Sequence, residues 1–444
     1  MTKTRMNLRV SMIAMAALTM ITQAPAQAQA DEPNYEELEK FMEVYGRIKA
    51  AYVRQVTDKE LVKGAIDGML NALDPHSSYA EASDFDDLDI ISTGNYGGLG
   101  LVSTVENGVV RVVSATEDAP AWKAGIKSGD YLTRIGGDLA YGLTLEQAVD
   151  KMRGPAGTKV DLKVVRPGRD QPFTVTVTRA VITANPVKWE VKDRVGIINL
   201  NRFTGTSGDQ VQNVLAAIDK STGGKTIGYV LDLRSNGGGV LDEAVQVVDL
   251  FLERGEIVSQ RGKTPDSIQR YYATPGDVTG GKPVIVLVDA GSASASEIVA
   301  GAIQEHRRGL VLGERSFGKG SVQSIYQLGA RRALRLTTDL YYLPSGRSVQ
   351  EGGIIPDILV PQLSDPDYAT RDQVRESDLR QHLIAEGVDD LALLEEDTAA
   401  DPRFAASAED LAKLGIQDFQ LDYSVKTLKR TESASAGTPQ PTKA

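Results

Sequence analysis

Val288-Asp-Ala-Gly-Ser-Ala-Ser-Ala-Ser-Glu297 reads as the end of a buried strand, a turn of small residues and the first turn of a helix. The apolar run Pro283–Val288 supplies the strand, and Ser294–Gln304 has the helical pattern. A serine at this junction stands beside a helix N-terminus, whose unpaired N–H groups favour developing negative charge. Small neighbours leave room for a peptide backbone to approach. On these residues alone the serines serve equally well as helix caps. The alternation continues outward. Val195–Leu200 and Ile227–Leu233 suit buried strands, and Leu241–Leu252 has helical periodicity. Strands alternating with helices over 183–362 imply an α/β core.

Leu310-Val-Leu-Gly-Glu-Arg-Ser-Phe-Gly-Lys-Gly-Ser-Val-Gln323 is the second segment that carries chemistry. Gly318 and Gly320 let a substrate or another backbone pass close to Lys319. Burial disfavours an ammonium, by up to ~3–5 pKa units when complete. A neutral lysine can then take the proton of a serine hydroxyl. Gly313 to Lys319 also matches the phosphate-loop pattern G-x-x-x-x-G-K, but Gly320 stands where a magnesium-binding Ser or Thr belongs. Ser316-Phe-Gly-Lys319 matches S-x-x-K without its companion S-D-N and K-T-G motifs. A histidine triad is disfavoured. His76 falls in the N-terminal region and His382 in the acidic tail, and His306 is about 18 Å along one helix from Ser294. Leu231-Asp-Leu-Arg-Ser-Asn-Gly-Gly-Gly239 runs from a strand into a Gly-rich turn. That turn can present an oxyanion hole or serve as a plain strand–helix connection.

The remaining regions have distinct compositions. Lys3, Arg5 and Arg9 precede the apolar Val10–Ile21 and the small-residue site Ala28-Gln29-Ala30, a three-part signal-peptide pattern over 1–30. The apolar run is shorter than the ~20 residues of a spanning anchor. Export to the periplasm, the cell envelope or the exterior is therefore expected. Removal of those three basic residues takes the net charge from −11 to −14, a poor charge for nucleic acid. With no cysteine there is no disulfide, thiolate metal site or cysteine nucleophile, and the three histidines lack metal-ligand spacing.

Residues 31–85 read as an N-terminal helical region. Leu38, Phe41, Tyr45, Ile48 and Tyr52 form one stripe that packs within the chain or pairs with a second copy. Residues 86–182 are β-rich: Val160, Leu162 and Val164 alternate, and Thr144 with Gln147 makes a capping box for a helix through Met152. An acidic, Ala-rich stretch over 363–430 has helices expected at 377–386 and 407–428, and 431–444 reads as a disordered tail.

Taken together these segments resemble the carboxyl-terminal processing, or tail-specific, protease family. The resemblance runs in order through Leu73-Asp-Pro-His-Ser-Ser-Tyr79, Gly97-Gly-Leu-Gly100, Ala124-Gly-Ile-Lys-Ser-Gly-Asp130, Arg153-Gly, Asp232-Leu-Arg, Gly291-Ser-Ala-Ser-Ala-Ser-Glu297, Phe317-Gly-Lys-Gly320 and Pro344-Ser-Gly-Arg-Ser348. It implies a multidomain α/β fold with a protease core of the ClpP/crotonase-like type, a PDZ domain over 86–182, and helical N- and C-terminal regions. It implies a serine endopeptidase that needs no metal or cofactor. Ser294 is the implied nucleophile, Lys319 its general base, and Gln323 orients the lysine. Ala295 and Gly238 are the implied oxyanion donors, although Asn236-Gly-Gly-Gly239 replaces the family's N-P-G-G and leaves Gly237 as the other choice. Glu305, where some members carry an implicated Asp, is given a structural role. Gly98, Leu99, Gly100 and Leu101 would hold the carboxylate of a substrate tail. Leu145, Ala148 and Val149 would form the pocket for its last side chain, and Arg153 would link capture to the active site. Expected partners are proteins with unstructured C-terminal tails. A second copy docking through the helical regions and an adaptor protein stay open, as does a non-catalytic, tail-binding scaffold as the alternative function.

Overall fold

A computed structural model of the chain describes residues 35–81, 95–106, 108–116, 118–183, 186–329, 332–366, 368, 373–384 and 401–436. The signal-peptide segment 1–30 lies outside them. The apolar runs pair into a six-stranded sheet in the order Val187–Lys192, Val195–Leu200, Gly228–Asp232, Val284–Val288, Leu310–Gly313, Ile358–Leu359. The first pair is antiparallel and every later pair parallel. Gly228–Asp232 and Val284–Val288 are buried at every residue, as strands covered on both faces must be. Helices Ser207–Thr222, Leu241–Asp249 and Ala295–Glu305 contribute Val211, Leu215, Val247, Ile298 and Val299 to one core, shared with Ile198, Leu231 and Val286 of the sheet. On the other face, Ile197, Val230, Ile285 and Leu312 share a core with Phe404 and with Val425 and Leu428 of the helix Phe419–Ala436.

A second sheet stands beside the first. It runs Ser78–Glu81, Arg332–Tyr342, Gly255–Gly262, Gln269–Ala273, and Ser321–Gln327 also pairs along Arg332–Tyr342. Ser78–Glu81 therefore belongs to this sheet, whereas the sequence reading put it in the N-terminal helical region. The β-rich region is an antiparallel sheet of Leu101–Glu106, Val109–Ala115, Tyr131–Ile135, Lys159–Val165 and Phe173–Thr178. Val160, Leu162 and Val164 point into its core. Gln147 N donates to Thr144 Oγ1 at 3.2 Å and Thr144 N to Gln147 Oε1 at 3.0 Å, closing the capping box on Leu145–Met152.

Three expectations need correction. Residues 377–384 are not an α-helix; a single 3-10 turn, Glu376–Asp378, stands there. The backbone is strapped to the Lys319 loop instead: Glu376 N donates to Phe317 O at 3.1 Å, and Arg375 Nη1 donates to Ser316 O at 3.0 Å. Helix is broken within 407–428, where Gly415 at φ +73° follows the short helix Ala408–Lys413. The final helix then runs to Ala436, six residues into the stretch read as unstructured. At the N-terminus, Tyr35–Ala51 and Asp58–Asn71 are helical as expected. However, Leu38, Phe41, Ile48 and Tyr52 are exposed, so this helical segment does not bury the stripe within itself.

Candidate active site

Three serines share the turn after Val284–Val288, and their hydroxyls have different fates. Ser292 Oγ donates to Leu233 O at 2.8 Å and Ser296 Oγ to Asn236 O at 2.8 Å, both fully buried. Those two hydroxyls fasten the turn to the Gly-rich loop. Ser294 instead lines a cavity of about 590 Å³, together with Ala295, Gly237, Gly238, Lys319, Gln323 and His76. Its backbone stands at φ +57°, ψ −114°, a region that costs a non-glycine residue about 1–3 kcal/mol. Such strain is tolerated only where surrounding bonds fix it.

Those bonds come from Glu297, which is fully buried. Its Oε2 accepts the N–H of Ser294 at 2.7 Å and that of Lys319 at 2.9 Å. Its Oε1 accepts the N–H of Gly318 at 2.7 Å and the hydroxyl of Ser316 at 2.5 Å. One carboxylate thus ties the serine turn to the lysine loop. Burial pushes Glu297 up to about 7, against the pull of those donors. The Tyr341 hydroxyl adds a second tie, lying 3.1 Å from Ser294 O and in contact with Lys319 O. Burial raises its pKa well above the ordinary value, so it stays protonated. Sequence reasoning missed both residues. The S-x-x-E spacing of Ser294 and Glu297, a helix-capping pattern, was the available signal.

Lys319 Nζ donates to Gln323 Oε1 at 2.5 Å and lies 3.4 Å from Ser321 O. Burial brings its pKa down to about 8; Glu376, Glu297 and Asp74 pull it upward and Arg335 lowers it. Among the described residues no hydrogen bond joins Lys319 Nζ to Ser294 Oγ, so the cavity brings the two groups together without closing a bond between them. A Cβ on Gly318 would stand 2.7 Å from Glu351 O, and one on Gly320 2.8 Å from Gln350 N. The backbone that the two glycines admit beside Lys319 is thus that of the chain itself.

His76, set aside as distant, is at the wall of this cavity. Its Nε2 is 2.9 Å from both carboxylate oxygens of Glu376. Asp74 is buried two residues before it. Burial raises the Asp74 pKa, but hydrogen bonds from Ser77, His76 and Thr337 outweigh it and hold the carboxyl below its ordinary value. Glu305, on the far end of the Ala295–Glu305 helix, accepts the N–H and hydroxyl of Ser345 at 2.8 and 2.9 Å.

Ala295, first residue of its helix, lines the cavity and supplies a helix N-terminal N–H. Gly238 packs closely: a Cβ there would lie 2.9 Å from Ser294 Cβ and 3.0 Å from Ala295 N. Its N–H is not turned to the cavity, however. It donates to Asn236 Oδ1 at 2.9 Å, and Asn236 is held by its own Nδ2 bond to Leu200 O at 2.7 Å. The expected Gly238 donor is engaged in this structure.

In the β-rich body, the side chains of Leu99 and Ala148 are buried in its core. Leu145 is exposed, Val149 packs against the same core, and Gly100 takes φ +72° beside Ala119. Gly98 and Leu101 sit in the strands Asn95–Gly98 and Leu101–Glu106. Arg153 lies 5.6 Å over the Tyr96 ring and is not among the residues lining the Ser294 cavity.

Three family models match the chain: peptidase family S41 over residues 194–360, the activating protease CtpB N-terminal domain over 6–83, and a PDZ domain over 111–166. A carboxy-terminal-processing protease of Bartonella bacilliformis is 42% identical over 428 residues, covering 96% of this chain and 96% of that relative. Carboxy-terminal processing protease CtpB of Bacillus subtilis is 33% identical over 351 residues, or 78% of this chain and 71% of that relative. Among solved structures, a photosystem II D1 C-terminal processing protease is 28% identical, with TM-score 0.43 over 74% of this chain and 87% of that one.

Proposed function

The chain belongs to peptidase family S41, the carboxy-terminal processing serine proteases, and from that membership we propose that it cleaves unstructured protein tails with Ser294 as nucleophile and Lys319 as general base. One observation carries the assignment. Of the three serines only Ser294 has its side chain free of the loop's carbonyls, and it shares a cavity with a lysine whose pKa burial lowers to about 8. A neutral Lys319 takes the Ser294 proton as Oγ attacks the peptide carbonyl. The oxyanion is met by the Ala295 N–H, joined by Gly238 once Asn236 releases it. Lys319 then returns the proton to the leaving amine, and water hydrolyses the acyl-enzyme. Gln323 keeps the amine in place throughout.

The PDZ match and the exposed Leu145 favour capture of a substrate's C-terminal carboxylate before cleavage. The test compares an unfolded, labelled polypeptide carrying a free C-terminus with the same chain amidated. Wild type should cleave the free form with lower KM, and Ser294→Ala and Lys319→Ala should cleave neither. Cleavage by either variant at the wild-type rate would end the proposal, and equal KM for both substrates would end tail capture. The basic, apolar and small-residue segments of 1–30 favour export to the periplasm or cell envelope. The mature protein should then begin at Asp31 by terminal sequencing, and an intact Met1 in the cell would contradict it.

A further inference from the structure

Leu73-Asp-Pro-His-Ser-Ser-Tyr79 has no part in the reaction above, yet the fold brings it behind the Gln323 side chain. Asp74 Oδ1 accepts the N–H groups of His76 and Ser77 at 2.8 Å each, and Oδ2 accepts the Ser77 hydroxyl at 2.7 Å. The Asp74 carboxylate is thereby fixed and only 3% exposed. Thr337 Oγ1 lies 3.1 Å from Asp74 Oδ1, and Thr337 N donates to Ser77 Oγ at 3.1 Å. Gln323 Nε2 lies 3.1 Å from Thr337 Oγ1 and 3.0 Å from Ser321 Oγ. On its other side, Gln323 Oε1 meets Lys319 Nζ at 2.5 Å.

The direction of each bond follows from the first. An ionised carboxylate only accepts, so the Thr337 proton goes to Asp74. The Thr337 oxygen is left as an acceptor toward Gln323, and only the amide NH2 can face it. We propose that Asp74 and Thr337 are positioning residues that set which way round the Gln323 amide stands, so that its oxygen meets Lys319. The orientation bears on the chemistry because a neutral amine has a single lone pair. Gln323 Oε1 takes one N–H of the amine and leaves that lone pair for the Ser294 proton. A flipped amide would donate N–H to the lone pair and block the base.

The proposal rests on the Ser294–Lys319 reading, and the experiment separates the two. Wild type, Ser294→Ala, Thr337→Val and Thr337→Ser are compared for kcat and KM on denatured, labelled casein, with melting temperatures recorded. Thr337→Val is repeated in a Gln323→Ala background. Thr337→Val should lose about tenfold in kcat with KM within about twofold. Thr337→Ser, which keeps the hydroxyl, should stay within about threefold of wild type, and Thr337→Val should lose less than about twofold once Gln323 is absent. A wild-type kcat in Thr337→Val overturns the proposal, as does equal loss in Thr337→Ser or an undiminished tenfold loss in the Gln323→Ala background. Casein cleavage that survives Ser294→Ala overturns the underlying reading, and the proposal with it.

Discussion

At the scale of single residues, strain and close contact are concentrated where Ser294 meets the Gly-rich loop. Ser294 holds a positive φ, and Gly238 at φ +95° leaves no room for a side chain against Ser294 Cβ and Ala295 N. Gly237 next to it has open space and no positive φ. Gly238→Ala should therefore lower kcat at least about a hundredfold, because it displaces the serine and the helix N-terminus together. Gly237→Ala should stay within about threefold of wild type, with stability unchanged or raised by about 0.4–1 kcal/mol. Kinetics and melting of the two variants check this, and an active Gly238→Ala would show that the loop yields. Short local patterns marked the serine turn and Lys319, and the family resemblance singled out Ser294 and Gln323. The sequence did not reveal Asp74 or His76, whose partners Thr337 and Glu376 lie 263 and 300 positions away. Separations of that size leave no periodicity to read.

At the scale of elements, the strands were legible and the outer cover was not. Val284–Val288 is continuously apolar and Val195–Leu200 is apolar but for Gly196 and Asn199, and both became inner strands of the sheet. The C-terminal helix Phe419–Ala436 starts within the stretch 363–430 that reads as acidic and Ala-rich, yet its Val425 and Leu428 close the second face of the sheet. Leu428 is 2% exposed and packs against Gly228, where even a Cβ would stand 2.9 Å from its Cδ2. Arg234 fastens the same helix, bonding Asp232 at 2.6 Å and Asp418 at 2.7 Å; burial opposes its charge, but these bonds raise its pKa overall. Leu428→Ala should cost about 2–5 kcal/mol, read as a lower midpoint in urea. A change under about 0.5 kcal/mol would mean that the helix is not part of the core.

At the scale of the whole molecule, the unit from Ala65 onward combines a β-rich PDZ body with a two-sheet protease core. The serine comes from one sheet's connection and the lysine from the edge of the other. Glu297 and Tyr341 bridge the two. Motif order carried the family resemblance, because the motifs stand where elements begin or end. It could not reveal that the Asn236 side chain occupies the Gly238 donor, since that depends on one rotamer. The account stands on Lys319 acting as a neutral amine. With its pKa near 8, the amine is charged and inactive as a base below that pH and gains its lone pair above it. The most direct measurement is the rate of Ser294 acylation by an unfolded substrate in single turnover from pH 6 to 10, for wild type and Lys319→Ala. Wild type should rise through a half-maximum near pH 8, within about one unit, and Lys319→Ala should stay inactive throughout. A flat wild-type profile, or the same rise in Lys319→Ala, would contradict the account.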